Sequence, residues 1–337
     1  SPPLNLPAPV NSAHVELNPR LLATESGRFA LLFLSDRGLQ RSLSAYICTS
    51  DDLRHWRRPA VVSAEHHIDL SLLQARNGPA VLMSVPALKD ATCFEWRTSD
   101  DLVTWSAPQR IPVASRPKCM GLTQDAAGLF HLVWLGEIEG RGGTYHVRAT
   151  LIHHMTSCDL IHWNRPTLIP CETPHVINVA PVVFENRLWC AIGTVDEQYS
   201  GQARLALYAR DLRDAGAAWM QWDVPEHTLS GLASLAVDPI TERLSFCWSM
   251  TDMQLNAARF SGPVFLMSGV PARANPVQTT MHPAIPLALA ALHPGTAAAP
   301  APLAARTALV LDAPSPETTF TPQPTMRHDG TVAWPRA

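Results

Sequence analysis

Side chains that can move a proton or bind a carboxylate recur at five places along this chain. Histidine occurs at four of these places, and its ordinary pKa suits acid–base chemistry near neutral pH. Arginine, lysine and asparagine accompany the histidines, and these residue types bind carboxylates. The groups are His14, Glu16, Asn18 and Arg20; His66, His67, Asp69 and Ser71; Arg116, Lys118 and Cys119; Glu172, His175 and Asn178; and His227 and Ser230. This set favours acid–base chemistry on a ligand with a negative charge.

Two of the groups have the spacing of residues that share one face of a β-strand. Successive side chains of a strand point to opposite sides, so residues two apart point to the same side. This alternation predicts that His67 and Asp69 form one pair, and that Glu16, Asn18 and Arg20 form a second set. The histidines lack the tight spacing of metal ligands, so we predict no metal site.

The elements that must position these residues are marked by a short phrase that occurs three times. It reads S-x-D-L-x-x-W and spans Ser50–Trp56, Ser99–Trp105 and Ser157–Trp163, and a proline stands three residues after each tryptophan. A weaker copy runs from Asp211 to Pro225 and contains Trp222. The tryptophans lie 49, 58 and 59 residues apart. A nearly fixed period of this size indicates a repeat fold.

Each repeat predicts four short strands. Two apolar runs separated by Gly, Asn or Asp precede the phrase and predict a hairpin. A third strand leads into the phrase and a fourth follows the proline, which gives four antiparallel strands in roughly 50 residues, the description of a propeller blade. We therefore predict an all-β propeller of five blades, with six as the alternative. The predicted units are about 13–60, 61–112, 113–168, 169–226 and 227–270.

The phrase itself is predicted to be structural. Its Ser and Asp side chains can hydrogen-bond to their own turn backbone, and its Leu and Trp can pack between neighbouring sheets. We therefore place the chemistry elsewhere, at the first strand of each unit.

The composition changes near Pro271, where a segment dense in proline and alanine begins. We therefore predict a propeller at 1–270 and a tail at 271–337. In the tail, Asp329–Gly330 is a turn signal, and Thr331–Trp334 reads as a short strand. The tail is thus expected either to start a sixth blade or to supply a strand that closes the ring.

The phrase, with its trailing proline and preceding hairpin, resembles the five-bladed propeller glycosidases of glycoside hydrolase families 43 and 32. The resemblance covers about residues 13–226. Read one residue out of phase, Thr49–Trp56 and Thr98–Trp105 resemble the sialidase Asp box more weakly, because Leu replaces the usual Gly. The glycosidase resemblance implies catalytic carboxylates on the innermost strands, pointing into a central funnel.

This sequence departs from the implied pattern at two of three carboxylates. The first position reads Asn18-Pro19, and the position of the implied Glu reads Val179; Asp69 is kept. The sialidase resemblance leaves Arg37 as the one surviving carboxylate-binding arginine. Because glycoside hydrolysis ordinarily needs two carboxyl groups, Glu16 is the candidate for the missing one.

We therefore expect a carbohydrate-active propeller, a divergent glycoside hydrolase acting on a glycan or small molecule in its funnel. Its candidate catalytic residues are Asp69, His67 and Glu16. Its candidate substrate-binding residues are Asn18, Arg20, Arg37, Lys118, His175 and Asn178. One alternative is an inactive sugar-binding propeller. Another is a lyase for a uronate that uses Tyr145, His146 and Arg148.

The composition excludes several other classes. A net charge of −3 and a pI near 6.5 give no electrostatic case for nucleic acid or an anionic membrane. No apolar run reaches the ~18 residues that span a bilayer. The seven cysteines lack metal-site spacing and are expected to be free thiols. We predict no cofactor. The first residue is Ser, so secretion after signal-peptide removal and a cytoplasmic location both stay open, as does the oligomeric state.

Overall fold

The computed structural model of the chain is built from β-strands. It describes residues 10, 12, 14–24, 26–38, 42–88, 92–137, 150–171, 176–195, 203–223, 232–238 and 243–249, and strands at 264–269, 276–278, 305–308, 325–326 and 332–333. None of these residues belongs to a helix, so the described part of the chain contains no helix that could cross a membrane.

The first two sheets are blades of four antiparallel strands joined in sequence order. Blade 1 consists of β1 (Glu16–Ala23), β2 (Phe29–Ser35), β3 (Ser44–Ser50) and β4 (Ala60–Ser63). Blade 2 consists of β5 (His67–Gln74), β6 (Ala80–Pro86), β7 (Cys93–Ser99) and β8 (Gln109–Pro112). The fourth strand of each blade follows the turn phrase, as the sequence predicts.

The next two sheets repeat this order. Blade 3 consists of β9 (Arg116–Gln124), β10 (Phe130–Glu137), β11 (Thr150–Ser157) and β12 (Thr167–Ile169). Blade 4 consists of β13 (Val176–Phe184), β14 (Arg187–Val195), β15 (Ala203–Asp211) and β16 (Met220–Asp223). The all-β propeller class is therefore confirmed.

The number of blades differs from the prediction of five. Among the described residues four blades are complete, and the fifth predicted unit forms a sheet of three strands. These strands are β17 (Leu232–Asp238), β18 (Arg243–Ser249) and β19 (Val264–Gly269).

The described residues of the tail form four short strands. In β20 (Pro276–Gln278) and β21 (Ala305–Ala308) it extends the sheet of blade 4, where β21 runs parallel to β16. The other two, β22 (Thr325–Met326) and β23 (Val332–Ala333), pair with each other. The predicted boundary at residue 270 and the closing role of the tail stay predictions.

The chain divides into two compact units. Unit one contains residues 1–136 and 155–165, and unit two contains residues 137–154 and 166–337. Blades 1 and 2 and the first strand of blade 3 lie in unit one. Of the candidate catalytic and substrate-binding residues of the hydrolase, all except His175 and Asn178 also belong to unit one.

Unit one has apolar layers between its blades. Leu32 and Leu34 of blade 1 pack with Leu70 and Leu82 of blade 2, and each is at most 1% exposed. A second layer joins blades 2 and 3, where Phe94 and Trp134 meet edge to face at 5.5 Å between ring centroids. Burial of these side chains fixes the first strands of the blades, which carry the candidate site.

The repeated phrase forms the turn between the third and fourth strands and is structural, as predicted. In blade 2 the Oδ1 atom of Asp101 accepts hydrogen bonds from the backbone N–H groups of Val103 and Thr104, both at 2.7 Å. Leu102 adopts a left-handed backbone with φ of +63° and is 5% exposed. The Asp side chain thus holds a strained turn that inserts the leucine between blades.

We expect Leu102→Ala to lower the free energy of unfolding by about 2–3 kcal/mol, because it leaves a cavity in the layer between blades 1 and 2. The adjacent Val103 is 66% exposed, so Val103→Ala should change that free energy by less than about 0.5 kcal/mol. Urea unfolding of both variants measures the difference. Equal losses in the two variants would contradict a packing role for the leucine.

Candidate functional site

Both first strands that carry the candidate catalytic residues contain a bulge. In β1, Leu17 lies opposite Leu34 while Arg20 lies opposite Leu32. The two residues between them in β1 therefore face a single residue of β2. In this bulge Asn18 has a φ of +50°. In β5, His67 lies opposite Pro86 while Asp69 lies opposite the adjacent Val85. Each bulge adds one residue and shifts the alternation.

The shared faces expected from alternation are therefore wrong. Glu16 lies opposite Ser35 and Arg20 lies opposite Leu32, and these two partners are three residues apart on β2. Their side chains consequently point to opposite faces of blade 1. For the same reason His67 and Asp69 point to opposite faces of blade 2.

Asp69 is 3% exposed, and both of its oxygens are bonded within the protein. Its Oδ1 atom accepts from the backbone N–H of Leu70 at 2.9 Å and pairs with Arg20 Nη2 at 3.2 Å. Its Oδ2 atom accepts from the backbone N–H of Met120 at 2.8 Å. Burial raises the pKa of Asp69, and the nearby Arg20 charge opposes that rise.

These contacts belong to a series that links the open edges of three neighbouring strands. Asn18 Nδ2 donates to the Ile68 carbonyl at 3.0 Å, and Arg20 Nε donates to the Leu70 carbonyl at 2.8 Å. Ser71 Oγ accepts from the Leu122 N–H at 3.0 Å, parallel to the bond of Asp69. The side chains thus satisfy backbone groups that a first strand leaves unpaired. Asn18, Arg20 and Asp69 were predicted to bind or cleave a substrate. In the structure they instead hold the strands β1, β5 and β9 together.

Glu16 is held in a separate ion pair. Arg37 Nη2 lies 2.6 Å from Glu16 Oε1 and also donates to the Val10 carbonyl at 2.9 Å. The Arg37 guanidinium covers the rings of Phe33 and Tyr46, with its Cζ atom 5.0 and 5.5 Å from their centroids. The stacking and the ion pair immobilise Arg37. Asp69 and Glu16 therefore each have an arginine of their own, on different faces.

His67 is 1% exposed, and its Nε2 atom lies 2.9 Å from Ser63 Oγ. Burial lowers the pKa of His67 to about 4, which the nearby Glu95 carboxylate partly offsets. Glu95 is itself 1% exposed, and its Oε1 atom receives Arg110 Nε and Nη2 at 2.9 Å. Sequence reasoning missed Glu95, although a carboxylate within the strand Cys93–Ser99 was a visible exception to the rule that buried strands exclude charge.

The remaining candidates lie on other first strands. Lys118 is exposed on β9, while Asn178 is 9% exposed on β13 in unit two. Val179, at the position of the implied Glu, is 2% exposed. His175, Tyr145, His146, Arg148 and His227 lie outside the described residues.

Among the described residues, no group of three or more His, Cys, Asp or Glu side chains is placed to hold a metal ion. A cavity of about 170 Å³ lies between the β1–β2 turn and the β7–β8 turn, with Thr24, Arg28 and Asp100 among its lining residues. None of the predicted site residues lines this cavity.

No protein-family model and no curated protein sequence matches this chain. Solved structures do match. A thermostable family-43 glycoside hydrolase aligns with a TM-score of 0.54 at 12% identity, over 78% of this chain and 92% of that one. An endo-arabinase from Bacteroides thetaiotaomicron aligns with a TM-score of 0.52 at 15% identity, over 75% and 93%.

A third structure, the GH93 α-L-arabinofuranosidase of Fusarium graminearum in complex with arabinobiose, aligns with a TM-score of 0.54 at 16% identity, over 74% of this chain and 76% of that one. At such identities structural similarity establishes the fold alone. The resemblance carried by the repeated phrase is confirmed at that level: the chain has the β-propeller fold of these glycoside hydrolases.

Proposed function

We propose that this protein is a carbohydrate-active propeller that binds an acidic glycan at the starts of β1, β5 and β9. The observation that carries this proposal is the charge distribution at those strand starts. Arg20 has 33% of its side chain exposed and Lys118 is exposed, whereas Asp69, which pairs with Arg20, is buried. Apart from Glu16, which is paired with Arg37, the accessible charged groups on these strands are therefore cationic, and guanidinium and ammonium groups bind the carboxylate of a uronate.

Binding is favoured over cleavage because none of the three positions implied by the glycosidase resemblance presents an accessible carboxyl group in the described residues. Both carboxyl groups must flank the scissile bond, as acid and as base or nucleophile. The implied positions hold Asn18 and the buried Val179, and the oxygens of Asp69 are occupied by backbone N–H groups and Arg20. The glycosidase fold supports a sugar ligand without supplying this pair.

A divergent glycoside hydrolase is the second candidate, and the pKa of Asp69 favours it. A buried carboxyl group with a raised pKa suits a general acid. Glu16, with 21% of its side chain exposed, would then be the second carboxylate. The two candidates differ in product formation, which a direct assay measures.

Calorimetric titration with uronate oligosaccharides and neutral oligosaccharides of equal length tests the binding proposal. We expect the uronates to bind and the neutral sugars to bind at least about tenfold more weakly, since each charged hydrogen bond contributes about 1.5–3 kcal/mol. Lys118→Gln should weaken uronate binding about five- to tenfold. Arg54→Gln, which removes an exposed charge in the blade 1 turn, is the matched control and should leave binding unchanged. Equal affinity for both sugar classes would overturn the preference for acidic glycans.

Incubation of the same sugars with the protein separates the candidates. We expect neither new reducing ends nor the absorbance of unsaturated uronates. Reducing ends that disappear in Asp69→Asn, with the variant still folded, would establish the hydrolase instead. Unsaturated products would point to the lyase.

A further inference from the structure

A small polar patch interrupts the apolar layer between blades 1 and 2. Ser84 lies opposite both Leu70 and Glu95, so Glu95 shares the face on which Leu70 packs against blade 1. His67, opposite Pro86, points to the same face, and Ser63 of blade 1 lies opposite the buried Ala45. Ser63, His67, Ser84 and Glu95 are each at most 5% exposed. Buried polar groups of this kind require partners.

One arrangement of the Ser63 hydrogen bonds places the proton of His67 on Nδ1. Ser63 Oγ accepts from the backbone N–H of Glu65 at 3.4 Å, and its own hydrogen can be donated to His67 Nε2, which lies 2.9 Å away. A neutral imidazole that accepts at Nε2 must carry its proton at Nδ1. In this arrangement the Nδ1–H group is a buried donor, and no atom of the described residues accepts from it.

The complementary acceptor lies on Glu95. Its Oε1 atom receives two bonds from Arg110, whereas its Oε2 atom is buried and receives none from the part of the chain that the structure describes. Glu95 also acts electrostatically on His67, because its negative charge raises the pKa of the imidazole. The donor at His67 Nδ1 and the acceptor at Glu95 Oε2, both without a partner among the described residues, thus lie on the same face of blade 2.

We propose that one buried water molecule accepts from His67 Nδ1–H and donates to Glu95 Oε2. The result is a continuous relay of hydrogen bonds from Ser63 through His67, the water and Glu95 to Arg110, whose side chain is 61% exposed. A water with two or more polar partners is a normal component of a protein interior. Both ring nitrogens of His67 are then engaged, so the histidine holds blade 2 to blade 1 and is unavailable to a substrate.

The other charged groups near the relay have defined effects. Arg97 and His66 lower the pKa of His67, in opposition to Glu95. Glu65 and Cys93 act on Arg110, at the surface end. The residue of blade 1 that lies next to His67 is Ser63, which carries no charge. Glu95→Gln and Arg97→Gln should therefore shift the titration of His67 in opposite directions.

Nitrogen NMR of histidine-labelled protein tests the relay, with His67→Asn used to assign the signal. At pH 7 we expect the Nδ1–H tautomer of His67 and a long-lived water cross-peak at Nδ1–H. Glu95→Gln should lower the titration midpoint of His67 by about one pH unit, and Arg97→Gln should raise it. An Nε2–H tautomer in the unmodified protein, which needs no variant to fold, would overturn the proposal. So would a midpoint that stays unchanged in Glu95→Gln.

Discussion

Asp69→Ala is expected to lower the free energy of unfolding of unit one by about 3 kcal/mol, at the low end of the range for breaking a buried ion pair. The substitution removes the acceptor for the N–H groups of Leu70 and Met120 and leaves Arg20 without its carboxylate. The buried N–H groups then lack a partner, which accounts for most of the loss. Arg20 is a third exposed and can regain water, so its share is small.

Asp69→Asn tests the same contacts with the shape preserved. The Asn amide oxygen can accept from only one of the backbone N–H groups of Leu70 and Met120. Its NH₂ group then faces the other N–H group, which is also a donor. We expect a loss of about 1–2 kcal/mol, intermediate between the unmodified protein and Asp69→Ala. Both values come from urea unfolding followed by circular dichroism.

Asp100→Ala is the matched control, since this exposed Asp lies on the turn phrase of the same blade. It should change the free energy of unfolding by less than about 0.5 kcal/mol. If Asp69→Ala and Asp100→Ala unfold at the same urea concentration, Asp69 does not link β5 to β9 as described. A stable Asp69→Ala variant would also return Asp69 to the candidates for catalysis, because its role would then not be structural.

The repeated phrase predicted the fold because it makes the same local bonds in each blade. An Asp that caps its own turn and a Leu that packs between sheets act within a few residues, as in Asp101 and Leu102. Such interactions can be read from the sequence. The number of complete blades depends instead on how distant segments pair, as in the parallel pairing of β21 with β16, and the local pattern contains no information about this.

The candidate site was less predictable because one residue changes the face of every side chain beyond it. The bulges at Asn18 and Ile68 separate Glu16 from Arg20 and His67 from Asp69. Strict alternation had grouped them. One local signal existed: asparagine tolerates the left-handed backbone that a bulge requires, and Asn18 precedes a proline. Nothing comparable marks Ile68.

Glu95 shows a second limit of sequence reasoning. Glu95 pairs with Arg110 and acts electrostatically on His67, and the three residues lie on three different strands of one blade. Which of these residues come together depends on the strand register. The fold resemblance directed attention to the first strands, whereas Glu95 lies on the third. A charged residue inside an otherwise apolar strand is a reason to expect a buried partner, even where no family pattern includes it.

Acidification from pH 7 to pH 4 is expected to destabilise both units through two buried histidines. Burial lowers the pKa of His67 and of His153 from 6.5 to about 4. Between these values the unfolded chain binds a proton that the folded chain does not. The contribution of each histidine is therefore fully present above pH 6.5 and is lost as the pH falls to 4. A shift of this size corresponds to about 3 kcal/mol per histidine.

Carboxylates affect a lower pH window. Turn hydrogen bonds lower the pKa of Asp101 to about 2 and hold those of Asp52 and Asp159 well below their usual range. Their contributions are present above pH 3.8 and are lost below it. The raised pKa of Asp69 has the opposite effect on stability: as the pH falls, protonation of this buried carboxyl group favours the folded form. The loss between pH 6.5 and 4 is therefore assigned to the histidines.

Urea unfolding at intervals from pH 7 to pH 4.5 measures this dependence. His67→Gln should flatten the pH dependence of unit one, and His153→Gln that of unit two, because glutamine keeps a polar side chain that does not titrate. His162→Gln is the matched control. Because His162 is 83% exposed, this substitution should leave the slope of stability against pH unchanged. Since the loss begins at the unfolded pKa and levels off below the folded pKa, a loss that continues without levelling off to pH 4.5 indicates a folded pKa below that value. A stability that stays constant down to pH 4.5 in the unmodified protein would show that both histidines are solvated in the folded state.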